Sequence, residues 1–272
     1  MKTTQVLTSV ILAVVAWLAP GRDAHAQGLL QVTFDRDSWP TEEVQRTIVL
    51  PAGMTQLQAS FGYSGFDSGD FTSKTYALTP LVAYGLTPNI TVGATYDPLV
   101  QSSTISSFDG TPSETSTDST LSRGSVFAIA RPFNSYDLGL RAAIPFYLDA
   151  PTVDVDLRLV GRLSVSLDTV SWFFSAGVIA NVYNDYQAME FEDDPFPTRY
   201  VADTYLACQL NSQLSLAPGL GFAFDGDHAN GQLYGRAQFA IDHQIDLFGT
   251  LGFSFGHDGT NPLLVAGVNV WL

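Results

Sequence analysis

Twelve stretches of this chain alternate apolar and polar residues with a period of two, and the links joining them are short and long by turns. Period two is the repeat of a β-strand with one apolar face. Leu57, Ala59, Phe61 and Tyr63 mark the first stretch. Tyr76, Leu78, Pro80, Val82 and Tyr84 mark the second, and Ile90, Val92, Ala94 and Tyr96 the third. The fourth, Val126–Ala130, has an ambiguous register because Phe127 and Ile129 are also apolar. The sixth is sharper, with Val153, Val155, Leu157, Leu159, Leu163 and Val165 set against Asp154, Asp156, Arg158, Arg162 and Ser164. The others fall at Leu138–Phe146, Val170–Val182, Tyr200–Leu210, Leu214–Phe224, Leu233–Ile241, Ile245–Gly256 and Leu263–Leu272.

Short turns are expected at Leu86–Asn89, Pro132–Asp137, Ser166–Thr169, Leu210–Gln213 and Asp242–Ile245. Longer segments separate them, notably Val100–Ser122 and Asn184–Arg199. An even strand number with short turns on one side and long loops on the other is the signature of an outer-membrane barrel. In lipid every backbone N–H and C=O needs a partner, and closure of the sheet leaves no edge. The expected fold is therefore all-β: a transmembrane antiparallel up-and-down β-barrel of about twelve strands, with short periplasmic turns and long extracellular loops. A soluble β-sandwich also alternates, but it gives no reason for alternating loop lengths and displays charge outside. Here Lys74 is the only lysine after Lys2, and the polar faces are rich in glycine.

The N-terminus supports export. Met1–Lys2 carries a positive charge, Val6–Ala19 is almost unbroken apolar sequence, and Ala24-His25-Ala26 is a small-x-small cleavage site. This predicts a signal peptide over 1–26, because the apolar run is short for a spanning helix. Residues 27–54 then form an N-terminal periplasmic extension, which either packs in the mouth of the barrel or prolongs the first strand. The barrel occupies 55–272. The single cysteine, Cys208, excludes an intrachain disulfide and is expected to face lipid. A net charge of −15 with no basic cluster argues against nucleic acid.

If apolar faces meet lipid, the other faces line a lumen. For twelve strands the backbone radius is about 12 Å, leaving room for a narrow channel. The candidate lumen-lining residues are Arg131, Arg141, Asp154, Asp156, Arg158, Arg162, Asp203, Arg236 and Asp246, with Gln56, Gln58, Gln209, Gln232 and Gln238. Arginine facing lipid at mid-depth costs about 2–4 kcal/mol, so charge belongs inside on energetic grounds alone. A selectivity lining for solutes is the sharper reading, and the interleaved aspartates make that lining mixed in charge rather than anion-specific. Two prolines, Pro80 and Pro218, interrupt strands and are expected to mark bulges or bends. Tyr84, Trp172 and Trp271 are expected in an aromatic belt at the short-turn interface, and Tyr63, Tyr76, Tyr96, Phe146, Phe224 and Phe255 in one at the long-loop interface.

Two motifs carry a resemblance. Leu50-Pro51-Ala52-Gly53 leads into the first strand, and Tyr84-Gly85-Leu86-Thr87 turns between the second and third. Over residues 46–64 and 78–96 the chain resembles the bacterial outer-membrane barrels of the meta-pathway phenol-degradation family, which often show both features. The resemblance implies a transporter-like barrel and, among small solutes, aromatic or hydrophobic ones. It carries over no binding residues, and the 100–122 segment departs from a compact barrel.

The expected function is thus an outer-membrane channel or transporter for small solutes in a Gram-negative cell. The alternative is a structural or surface-interaction barrel with a closed lumen. An outer-membrane lipid-modifying enzyme is disfavoured: it needs a serine and histidine at the lipid rim, and His257 beside Ser254 and Asp258 is the one arrangement near that position. No cofactor or metal is expected. The acidic residues of 102–122 and 184–197 lack the spacing of a cation loop. Expected partners are outer-membrane lipid and lipopolysaccharide, a small-molecule solute, and the barrel-assembly machinery during insertion.

Overall fold

The computed structural model describes residues 34–67, 71–97, 99–106, 112–118, 123–132, 137–147, 152–166, 169–184, 198–226, 228–256 and 259–272. Residues 1–33, which include the expected signal peptide, lie outside these. By its contacts the chain divides after Gln31, and the strands all belong to the unit Val32–Leu272.

Strands β1 (Thr55–Asp67) and β2 (Phe71–Thr87) form the first hairpin. β3 (Ile90–Asp97) and β4 (Leu99–Ser106) run in the same direction, and both pair with β2. β5 (Pro112–Asp118) pairs with β4, and β6 (Arg123–Ala130) pairs with β3. These four segments are two long strands, each broken once. Their β4–β5 portion stands beyond the cylinder, in the region the sequence suggested was a loop.

β7 (Leu138–Tyr147), β8 (Thr152–Ser166), β9 (Val170–Asn184), β10 (Arg199–Gln209), β11 (Leu214–Phe224), β12 (Ala229–Ala240), β13 (Ile245–Gly256) and β14 (Gly259–Trp271) follow in up-and-down order. β14 pairs back onto β1, closing an antiparallel barrel of twelve strands. The last hydrogen bonds of the seam join Thr55 N–H to the Leu272 carbonyl, and Leu272 N–H to the Thr55 carbonyl, both at 2.8 Å.

Period two decides which face is which. Leu57, Leu78, Val126, Leu140, Leu157, Phe222, Leu233 and Leu251 are all exposed, on the outside of the cylinder. In water such a continuous apolar surface would be prohibitive; against hydrocarbon it is the required surface. The opposite faces carry Ser60, Thr91, Ser125, Asp154, Asp156, Arg162, Ser171, Ser215, Gln238, Asp246 and Asn269, every one buried. Leu251 lies mid-strand and 66 % exposed. Leu251→Arg is expected to cost about 2–4 kcal/mol of folding stability in lipid vesicles, read by urea titration, whereas Leu251→Phe should be tolerated. Equal stabilities would mean this face is not in hydrocarbon.

The prolines mark neither bulges nor shifts of register. Pro80 pairs in unbroken register with Ala59, and Pro218 with Gly235. Each sits instead at a gap in the ladder on its other side. The β2–β3 ladder stops at Leu81 and resumes on β4 only at Ala77. The β10–β11 ladder omits the residues between Tyr205 and Cys208. A residue without an N–H is placed where no bond is made.

Trp271 also departs from expectation. It lies at the short-turn end but points inward, where it is buried. Its neighbour in parity is Asn269, not Val270, so strand alternation itself turns it away from lipid.

Candidate functional site

The segment before β1 lies inside the short-turn mouth of the barrel. Two single-turn 3₁₀ helices, Arg36–Ser38 and Glu43–Gln45, shape it. Val44, Val49, Leu50 and Met54 are buried although they precede the sheet. Trp39, Leu50, Met54, Ala83 and Trp271 form one apolar cluster, and Val44, Ala207 and Ala217 a second. Of the two placements open from sequence, this is packing in the mouth.

Polar anchors tie the segment to strands around the wall. Arg46 forms a bidentate pair with Asp246 of β13; one of its bonds is 3.0 Å. The same guanidinium donates to the carbonyls of Pro40 and Thr41, both at 2.9 Å, which curls residues 40–46 around it. Its central carbon lies 5.0 Å from the Trp271 ring centroid and 6.0 Å from that of Trp39. Asp246 is fully buried and also accepts from Trp271 Nε1 at 2.8 Å and Gln238 at 3.2 Å. Four donor contacts from three residues account for its charge inside the protein.

Glu43 accepts a hydrogen bond from the Ser215 hydroxyl of β11 and pairs with Arg236 of β12 at 3.3 Å. The Val44 carbonyl accepts from Arg162 of β8 at 3.0 Å and Ser171 of β9 at 2.6 Å. Ile48 N–H donates to Asp137 at 3.2 Å, and Leu50 N–H to Thr91 of β3 at 2.7 Å. Contacts to β2, β3, β8, β9, β11, β12, β13 and β14 make residues 39–54 a plug across the mouth.

The two motifs quoted from the sequence meet here. Gly53, at φ +81°, completes a tight turn in which Met54 N–H donates to the Pro51 carbonyl at 3.1 Å. Gly53 N–H then donates to the Gly85 carbonyl, and Gly85 N–H to the Met54 carbonyl. A Cβ on Gly85 would stand 1.8 Å from the Pro51 carbonyl oxygen. Gly85→Ala should therefore push the plug's hinge off β2, costing about 1–3 kcal/mol in thermal or urea unfolding. An unchanged midpoint would mean the turn has room to move.

The nine candidate residues divide into two groups. Arg131, Arg162, Arg236 and Asp246 are at the mouth. Arg131 donates to the Pro88 carbonyl and to Asn89, both at 3.0 Å, and lies 3.6 Å from Asp137. Asp137 also faces Arg162 at 2.9 Å. Burial pushes the Asp137 carboxyl up from its ordinary range, against the pull of both arginines and the Ile48 N–H; burial likewise lowers Arg131. Arg141, Asp154, Asp156, Arg158 and Asp203 sit farther up. Asp156 accepts from Arg141 at 2.9 Å and from Arg158 at 2.7 and 2.8 Å. Asp154 accepts from Asn181 at 2.9 Å and lies 3.6 Å from Arg199. Both Asp203 oxygens lie 3.1 Å from the Tyr234 hydroxyl, which donates to them.

Above the plug the lumen holds two adjoining cavities. One, of about 360 Å³, is lined by Arg158, Asp203, Asn230, Gln232, Ser254 and Asn261 among others. The second, of about 320 Å³, shares Asp203 and Gln232 and continues toward Tyr205, Tyr234, Arg236 and Phe248. Arg236, over the rings of Tyr205 and Phe248 and paired to Glu43, forms the floor where cavity gives way to plug.

Glu43, Arg46, Asp137, Tyr205 and Tyr234 were not singled out from sequence. The available signal was Glu43 and Arg46, opposite charges three residues apart among the six charged residues of 34–54. His257 and Asp258, the basis of the enzyme alternative, lie outside the described residues. Among the described residues no cluster of three or more metal-ligating side chains occurs.

No family model matches the sequence, and no curated protein matches it. Solved structures do match. An outer-membrane channel from Pseudomonas putida F1 is 16 % identical, with a TM-score of 0.59 over 82 % of this chain and 97 % of that one. The NanC porin is 10 % identical, with a TM-score of 0.54 over 79 % and 98 %. The translocator domain of the autotransporter NalP from Neisseria meningitidis is 13 % identical, with a TM-score of 0.53 over 82 % and 90 %. At these identities the likeness is one of fold: the twelve-stranded barrel of outer-membrane proteins.

Proposed function

We infer that the protein is an outer-membrane channel for small polar solutes whose short-turn mouth is closed in the resting state by residues 39–54. The observation that carries this reading is the lumen: two cavities with amide, hydroxyl and charged side chains beside Val201, Tyr205 and Phe248, lying directly above a plug held by ion pairs, hydrogen bonds and two apolar clusters. A barrel built only for stability would more simply fill its interior. The channel and porin neighbours agree with the reading. So does the resemblance to the phenol-degradation family in its transporter aspect. The polar lining favours solutes with hydrogen-bonding groups over the purely hydrophobic ones that the resemblance also suggests. The closed-lumen alternative has the plug in its favour, and transport requires that the plug yield.

Proteoliposome swelling tests this. The double variant Glu43→Ala/Arg46→Ala is expected to admit small sugars and amino acids several-fold faster than the intact chain. Swelling no faster than protein-free liposomes, with the barrel folded by its heat-shifted gel mobility, would leave the structural alternative in place.

A further inference from the structure

The upper cavity places a pair of arginines and an aspartate on its wall, near enough to attract each other but not in contact. Arg141 and Arg158 share a single carboxylate, Asp156, which leaves one positive charge in excess on β7 and β8. Both guanidinium side chains remain about a quarter exposed to the lumen. On β10, Asp203 accepts from the Tyr234 hydroxyl; among the described residues no arginine or lysine is in contact with it, and Arg158 and Arg236 attract it from farther off. Arg158 and Asp203 both line the 360 Å³ cavity.

The sheet keeps the two apart. Arg158 is level with Gly177 of β9, and Gly177 with Val201 of β10, so Asp203 stands two strands across and two residues along. That is about 12 Å of sheet along the diagonal. Gly177 contributes no side chain between them. Gly221 opens room on the far side, since a Cβ there would approach the Asp203 carboxylate to 3.2 Å. Asn230, Gln232, Ser254 and Asn261 supply neutral donors and acceptors around the remaining wall. In a partly desolvated cavity, fixed charges of opposite sign held too far apart for a contact ion pair attract a solute carrying the complementary pair.

We propose that this cavity is a binding site for small zwitterionic solutes, taking an anionic group at Arg158 and Arg141 and a cationic amine at Asp203. The proposal rests on the polar-solute reading above but does not require conduction, because the site lies above the plug.

The test is equilibrium binding to the full-length barrel in detergent or nanodiscs, by calorimetry. The probes are 4-aminobutyrate, butyrate and butylammonium. The zwitterion is expected to bind at least tenfold more tightly than either singly charged analogue, and more weakly as salt is raised. Asp203→Asn should reduce 4-aminobutyrate to the affinity of butyrate. Arg158→Gln should reduce it toward butylammonium, which gives a second variant if the first folds poorly. No binding of 4-aminobutyrate, equal binding of all three probes, or an Asp203→Asn variant that binds like the parent would overturn the proposal. Zwitterion binding without swelling in any variant would instead sink the transport reading and leave the site standing.

Discussion

Asp246→Ala is expected to release the plug. The substitution leaves the Arg46 guanidinium enclosed between Trp39 and Trp271 with its carboxylate partner gone, and it orphans the Trp271 indole N–H. Removing one partner of a buried ion pair typically costs about 3–5 kcal/mol, because the other charge stays buried and uncompensated. Here the protein has a way to relieve that cost: residues 39–54 can leave the mouth and let Arg46 reach water. The expected result is a folded barrel whose tryptophan emission shifts to the red, as Trp39 and Trp271 become hydrated, and whose vesicles become permeable. Arg46→Ala should do the same, since it strands Asp246 instead. A double variant Arg46→Met/Asp246→Leu, which replaces the pair by apolar groups, should keep the plug seated better than either single change. Unchanged tryptophan emission in Asp246→Ala would show that the apolar clusters alone hold the segment.

The second large effect is expected at Asp137→Ala, and it differs in kind. Asp137 sits between Arg131 and Arg162, all three buried, and accepts from Ile48 N–H. Arg131 and Arg162 flank the turn between β6 and β7 and the end of β8, so they cannot leave with the plug. Losing the shared carboxylate leaves two buried cations facing each other, and about 3–5 kcal/mol of barrel stability should be lost in urea titrations from lipid vesicles. Asp137→Asn keeps an acceptor for Ile48 but not the charge, and should fall between. A loss below 1 kcal/mol for Asp137→Ala would mean that water reaches this cluster.

The barrel was legible in the sequence for a physical reason. Lipid imposes one rule on every outward residue, so Leu57 to Leu272 repeat it strand after strand, and the short turns punctuate it. The extent of β2 through β5 was less legible. Beyond the lipid the strands continue as polar sequence, such as Pro112–Asp118, with no apolar face to announce them. The plug was legible only as one of two placements for residues 27–54, without the residues that hold it. Its contacts are one-off pairings between residues from 41 positions apart, as in Leu50 with Thr91, to 200 apart, as in Arg46 with Asp246, and no period marks such a match. Trp271 shows the same limit: composition placed it in a lipid belt, but its parity in β14 and its partners Trp39 and Asp246 place it inside. The motif pair around Gly53 and Gly85 was visible as a lead into the first strand and a turn; that they bond to each other required the fold.

Single-channel recording in planar bilayers tests the closed mouth most directly. The full-length chain should be silent or open only in brief, rare steps, and a variant lacking residues 34–53 should show stable steps of several-fold greater open probability. Equal, steady conductance from both would contradict a barrel stoppered by its own N-terminal segment.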